Sequence, residues 1–360
     1  MTAVSGQAAA NAEQQSAPSP AGKPGKRRKA SSGEGKFAAM LVAPSVLVLA
    51  VVVGYPLIAA INDSFRSDKG LDPATGFFNE GGQWIGLTNW VHWLGERCGD
   101  TACPPGNTGA LFWESTAFTF GLTFVEVAVT TVIGVLFALM MNKAFKGRAL
   151  VRAAILVPWA IPTAVTAKLW YVIFQSEGVF NKLFGLDTVW LTGGWPSRAA
   201  ILVADSWKTA PFMALLILAG LQIIPADLYE SAKVDGATAW QRFYKITLPL
   251  VKPALVVAVI FRAMDVMRMF DLPAILTGLN NPDTSTLSVL VYRQLQQGRT
   301  YEASALSTIT FLFIFLLAFF LIKVLGADLS QSDKPKKPSR AERRLDKAEQ
   351  AQSTSTPAKV

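Results

Sequence analysis

The chain has 360 residues, 51% of them hydrophobic and 16% charged, with a formal net charge of +9, two cysteines and one histidine. The apolar excess is gathered into runs of about twenty residues, the length at which a helix crosses a hydrocarbon layer roughly 30 Å thick. His92 and two cysteines leave metal chemistry and Cys/His nucleophilic catalysis almost no material. The basic residues crowd the tails and the loops of one side, which argues for a topology signal and anionic lipid, and against nucleic acid.

Residues 1–36 are mostly small and polar, with the cluster Lys26-Arg27-Arg28-Lys29, and are expected to form a disordered basic cytoplasmic tail. Residues 37–61 read as the first span. A cleaved signal peptide competes with this, because basic residues precede the run. Its 25 residues, however, exceed the core of a signal peptide, so an uncleaved anchor is expected. Residues 62–112 are polar, rich in Gly and Trp, and expected outside. They contain Cys98 and Cys103, which in an exported loop either close a disulfide or remain two thiols.

Residues 116–141 form the second expected span, and 142–152 a basic inner loop. The third, 153–174, is interrupted by Pro158 and Pro162, tolerable where neighbouring helices or a wet cavity take up the freed carbonyls. The outer loop 175–198 leads to a fourth span, 199–224. Residues 225–253 form the longest polar interval of the second half. Before Gly236 they offer a short helix with Asp227 as N-cap and Leu228, Ser231, Ala232 and Asp235 at helical spacing. After it, Ala239, Trp240, Phe243, Ile246 and Thr247 form a second helical pattern that stops at Pro249. The pattern fits either a docking element or an ordinary interhelical loop. Residues 254–277 and 303–322 are the last two spans, separated by an outer loop, 278–302. Residues 323–360 form a second basic cytoplasmic tail.

Charge tests this topology. The four inner segments hold 6, 4, 4 and 9 Lys and Arg residues, against 3, 2 and 2 in the outer loops. The expected fold is therefore an all-α polytopic membrane protein with six transmembrane helices and both termini in the cytoplasm, which puts 225–253 in the cytoplasm too. The outer-loop tryptophans Trp84, Trp90, Trp93, Trp190 and Trp195 suit an aromatic belt, or a contact with an external protein.

Within 225–253, Glu230-Ser231-Ala232, Gly236, Ile246 and Leu248-Pro249 are spaced as in the EAA loop, and the chain resembles the membrane subunits of binding-protein-dependent ABC importers. Asp235-Gly236-Ala237 and Ile246-Thr247-Leu248-Pro249 are similar to the carbohydrate branch, the maltose-type permeases. Ser231 stands where that pattern prefers alanine. Pro44, Tyr55-Pro56, Ser64-Phe65, Gly86-Leu87-Thr88-Asn89-Trp90, residues 138–142 and Leu156-Val157-Pro158-Trp159 resemble the F-type subunit of such systems. Ser115-Thr116 replaces the usual Asn-Thr. The resemblance covers 37–322, lacks the large extra outer domain, and leans toward an actinobacterial trehalose or maltose-like importer.

The resemblance implies a type I ABC importer permease fold and a transport subunit that is not an enzyme. It further implies a second homologous permease, two ATPase subunits and an extracytoplasmic sugar-binding lipoprotein as partners, with membrane lipid around them. Glu230, Ser231, Ala232, Asp235, Gly236, Ile246, Leu248 and Pro249 would then form the coupling helix and its exit. No G-x-x-x-x-G-K-[ST] phosphate loop occurs, so no cofactor or metal is expected on this chain; ATP and Mg belong to the partner ATPase.

Charges within a bilayer are costly and mark pathways or partners. Glu126, Lys168, Asp205, Lys208, Arg262, Asp265, Arg268 and Asp271 all fall in the expected spans. Asp205 with Lys208, and Asp265 with Arg268, have the spacing to pair on one helix face. Such pairs serve as glue between helices, or line a sugar pathway with Trp207 and Phe212 as stacking surfaces. Two other classes compete with the importer subunit. An ion-coupled secondary transporter would use the same pairs as relays but leaves 225–253 unexplained. A membrane glycosyltransferase needs an acidic cluster at the membrane face.

Overall fold

The computed structural model describes residues 32–71, 78–98, 100–105 and 107–332. Most of the two expected tails lies outside them. Contacts divide the chain into two units, residues 1–58 and 59–360.

In the first unit α1 (Ser32–Leu49) passes through a π-helical turn, Ala50–Gly54, into α2 (Tyr55–Asp63). The helix begins five residues before the expected span, inside the segment read as tail, and its membrane-crossing part is Ala39–Asp63. Pro44 sits within it and breaks nothing, since only one intrahelical donor is lost.

The second unit opens with small outer elements. β1 (Gly70–Leu71) pairs antiparallel with β2 (Phe78–Asn79), α3 covers Thr88–Gly95, and β3 (Arg97–Cys98) pairs with β4 (Thr101–Ala102). Cys98 and Cys103 are joined in a disulfide across the foot of this hairpin. These elements clamp the start of the last helix, α14 (Thr300–Ser332). The Asp68 carboxylate accepts the Tyr301 and Glu302 backbone N–H groups at 2.8 and 2.7 Å, capping α14 from more than 230 residues away in sequence. Burial raises the Asp68 pKa, and those two N–H groups oppose the shift. Trp93 is fully buried and donates its indole N–H to the Glu302 carbonyl. It is a core residue of this clamp, not a member of an aromatic belt, because a tryptophan beside a helix start can satisfy its one donor internally.

The membrane helices come next. They are α4 (Phe112–Asn142), α5 (Arg148–Ala160), α6 (Thr163–Ile173), the short outer α7 (Val179–Phe184) and α8 (Gly194–Gln222). Then come α9 (Ala226–Val234), α10 (Ala239–Arg242), a π-helical turn at Phe243–Thr247, α11 (Leu248–Met267), α12 (Asp271–Leu276) and α13 (Leu287–Gln296). Among the described residues, five helices are long and apolar enough to cross a membrane, and α5 with α6 makes a sixth if that bent pair counts as one span.

Three expectations are corrected. The third span is two helices bent by 96° at Ile161-Pro162, where Pro162 ends the intrahelical bonding. The fifth does not run from 254 to 277: the helix begins at Ala239, ends at Met267, and 271–276 is separate. Pro249 does not stop the preceding pattern, because it lies in the first turn of α11, where a missing N–H costs little.

The centre of the unit is the packing of α4, α8 and α11 around Ala138, Met141, Met213, Ile217, Leu221 and Val251. Lipid offers no hydrophobic drive between helices, so close contact must do the work. Small residues permit it. A Cβ added at Gly134 would meet the Met213 Cβ at 2.7 Å, and one at Gly220 would meet the Ala254 Cβ at 2.5 Å. Thr116, Thr119, Thr123 and Thr130 return their hydroxyls to carbonyls four residues back, which leaves α4 able to bury them.

Candidate coupling element and intramembrane ion cluster

Residues 226–267 form one exposed hairpin of helices feeding a long span. α9 starts after Pro225, with Asp227 in its first turn and not at the cap. It ends in a Schellman motif: Ala237 N–H donates to the Ala232 carbonyl and Gly236 N–H to that of Lys233. Gly236 adopts φ +74°, which an L side chain resists, while a Cβ there would touch nothing within 4 Å. Its requirement is conformational, not steric. α10 then opens on a capping box in which Thr238 and Gln241 satisfy each other's backbone N–H groups. The T-x-x-Q spacing that signals this helix start is visible in the sequence, and it places the start one residue after Thr238.

Glu230, Ser231 and Asp235 are exposed on α9, and Ala232 is half-buried. Two hydrogen bonds brace this protruding piece against the polypeptide leading into α11. The Tyr229 and Thr247 hydroxyls lie 3.0 Å apart, and Arg242 donates to the Ala237 carbonyl at 2.7 Å. Thr247 belongs to the π-helical turn, a feature that recurs at functional sites. Ile246 and Leu248 flank it half-buried, and Pro249 is exposed one step on.

About four turns up α11 stands Arg262, fully buried. Its Nη2 donates to Glu126 of α4 at 3.1 Å and to Asp205 of α8, and its Nη1 donates to Asp265 at 3.0 Å. Ser206 donates to the same Glu126 oxygen at 3.2 Å. One guanidinium thus ties all three central helices together. The expected pairings of Asp205 with Lys208 and of Asp265 with Arg268 do not form. Arg262 captures both carboxylates because it can serve them in the interior with its planar fork. Lys208 instead donates to the Ile161 carbonyl at 2.8 Å, the group left loose where α5 gives way to α6. Arg268 is exposed at the end of α11. Glu126, which has no charged residue near it along its own helix to suggest a pair, is a full member of the cluster.

Trp207 packs edge-on against Trp170, with ring centroids 5.8 Å apart, and Phe212 stacks on Trp159 at 5.7 Å. Trp207 keeps a partly exposed face, whereas Phe212 has committed one of its faces to a neighbouring ring. The candidate pathway residues are therefore not one cluster. Asp205, Arg262 and Asp265 meet; Trp207, Lys208 and Phe212 line the bent α5–α6 pair; Arg268 stands apart.

Residues 130–331 match the family model described as the binding-protein-dependent transport system inner membrane component. The trehalose/maltose transport system permease protein MalF of Thermococcus litoralis is 38% identical over 300 residues, covering 81% of this chain and 94% of that one. The trehalose transport system permease protein SugA of Mycobacterium tuberculosis is 37% identical over 296 residues, covering 82% and 90%. Among solved structures, a bacterial ABC transporter involved in the import of the acidic polysaccharide alginate shares the fold with a TM-score of 0.64. It is 24% identical, covering 84% of this chain and 97% of that one.

Proposed function

This chain belongs to the family of binding-protein-dependent transport system inner membrane components, as a multi-pass permease of the trehalose/maltose type, and we propose that its cargo is a disaccharide such as trehalose. An external sugar-binding protein hands the sugar over, and this chain with a second permease forms the passage. The reading of the cargo is supported by two relatives, each named for trehalose transport and each alike over nine-tenths of its length.

The observation that carries the energetic half is the exposed α9–Gly236–α10 element, braced against α11 by Tyr229 and Thr247. We assign Glu230, Ser231, Ala232, Asp235 and Gly236 to the surface docked by a partner ATPase, with Ile246, Leu248 and Pro249 carrying the stroke into α11. A rigid helix on a rigid mount moves as a body. Asp205, Arg262 and Asp265 would hold the central helices in register during that stroke, while Trp207 offers an apolar face for a sugar ring.

The test is uptake by proteoliposomes holding the complete importer, its binding protein and ATP, with labelled trehalose, maltose and an unrelated sugar. Accumulation of trehalose or maltose that requires both ATP and the binding protein is expected. Uptake driven by an ion gradient without ATP would replace this reading with the secondary transporter.

A further inference from the structure

Two cavities lie beside α4 and α8 and meet at Leu202. The first, about 600 Å³, opens at the end of the helices that the charge distribution places outside. Its mouth is formed by Glu114, Trp195, Arg198 and Asp283, and below them the walls are Phe118, Leu122, Val125 and Leu202. The second, about 590 Å³, lies deeper between α4, α5 and α8, against Phe137, Ile155, Pro158 and Trp207, and adjoins the first at Leu202. Along the first cavity, from Glu114 to Val125, the helix rises about 16 Å, half the depth of a bilayer's hydrocarbon.

The mouth is built, not incidental. Arg198 is held between the Phe118 and Trp195 rings, its guanidinium carbon 5.4 and 5.6 Å from their centroids. Its Nε donates to the Asp283 carbonyl at 2.9 Å and its Nη2 approaches the Asp283 carboxylate at 3.5 Å, which itself accepts the Gly194 N–H. Nη1 has no hydrogen-bond partner among the described residues and remains a free donor on a fixed cation. Glu114, on the other lip, makes no ion pair among the described residues and is exposed. A cationic donor, a free carboxylate and an exposed indole thus cap an apolar cavity.

We propose that the outer cavity binds an outer-leaflet phospholipid with an ammonium headgroup, of the phosphatidylethanolamine class. The phosphate is bound by Arg198 through its free donor edge, the ammonium is held by Glu114 and the Trp195 ring, and an acyl chain lies over Phe118, Leu122 and Val125. A free sugar or phosphate would leave these apolar walls unfilled, and a lipid with an uncharged polar head would leave Glu114 unanswered. The proposal requires that the chain lies in a membrane with the start of α8 on the outer side.

The test uses the purified complete importer, exchanged into nanodiscs of mixed phosphatidylethanolamine and phosphatidylglycerol, followed by mild detergent release and native mass spectrometry. Phosphatidylethanolamine retained on this chain is expected, with retention about tenfold weaker in Arg198→Ala, the loss of one charge-assisted bond. Gly121→Leu supplies the second variant: it lines the outer cavity, and an added Cβ there meets nothing within 4 Å. It should remove the lipid while leaving the melting temperature unchanged. Equal retention of phosphatidylglycerol, equal retention by Gly121→Leu, or a helix of the second permease occupying the cavity in a structure of the complex would each overturn the proposal.

Discussion

At Arg262 a single guanidinium answers Glu126 and Asp205, both buried, and Asp265 at the margin. Such a cluster is a poor source of net stability, because desolvation offsets most of the attraction, yet removing one member leaves the others uncompensated. Arg262→Met should therefore cost about 3–5 kcal/mol. Removing the two buried carboxylates as well, in Glu126→Met/Asp205→Leu/Arg262→Met, should recover most of that loss, a strongly non-additive result. Thermal unfolding of the purified protein, followed by size-exclusion chromatography, measures both. A single Arg262→Met variant that melts with the wild type would sink the assignment. The identity of these charges was legible in the sequence, and so was their presence in the membrane. Their partners were not. Spacing of three suggested Asp205 with Lys208 and Asp265 with Arg268; the pair of that spacing that forms is Arg262 with Asp265, and the other two partners of Arg262 lie 57 and 136 residues away, chosen by how α4, α8 and α11 pack. Periodicity carries no information about which faces meet.

Among the elements, the stretch from Ala226 to Met267 carries the clearest sequence pattern and the least legible boundaries. Its glycine and helical spacings announced a hinge between two helices, and the Schellman motif at Gly236 is the physical form of that hinge. The run of apolar and proline residues from Leu248 to Pro253 looked like an ending because proline usually ends helices; here Pro249 lies in a first turn and Pro253 inside the helix. The consequence is structural: α10, the π-helical turn and α11 run as one continuous helix from Ala239 to Met267. Gly236→Pro cannot adopt φ +74°, because the proline ring holds φ near −65°. Glu230→Lys reverses the charge on the exposed face of α9. Each should abolish uptake in proteoliposomes and uncouple ATP hydrolysis from transport, while membrane insertion is retained. Normal transport by either variant would remove α9 from the coupling path. The bend at Ile161-Pro162 belongs to the same scale. Two prolines four residues apart signalled an interruption but not its 96° bend, at which Lys208 of α8 donates to the Ile161 carbonyl.

For the whole molecule, the distribution of Lys and Arg decides which side each loop faces, and the exposed residues of those loops allow a direct test. Val234 is 88% exposed at the end of α9, on the side assigned to the cytoplasm, and Trp195 is 79% exposed at the start of α8, on the side assigned outside. The native cysteines do not interfere, since Cys98 and Cys103 are bonded to each other and no free cysteine remains. Val234→Cys should react with a membrane-impermeant maleimide only after the cells are opened, and Trp195→Cys in intact cells. Wild type should stay unlabelled on either side until a reductant is added, and then label from outside only. The last step matters because a disulfide persists on the oxidising face of the membrane and not in the cytosol. The charge bias and the disulfide are independent physical reports on orientation, one set during insertion and the other by redox chemistry afterwards. Labelling of Val234→Cys from outside would reverse the topology, and with it the assignment of α9 to an ATPase and of the Arg198 cavity to the outer leaflet.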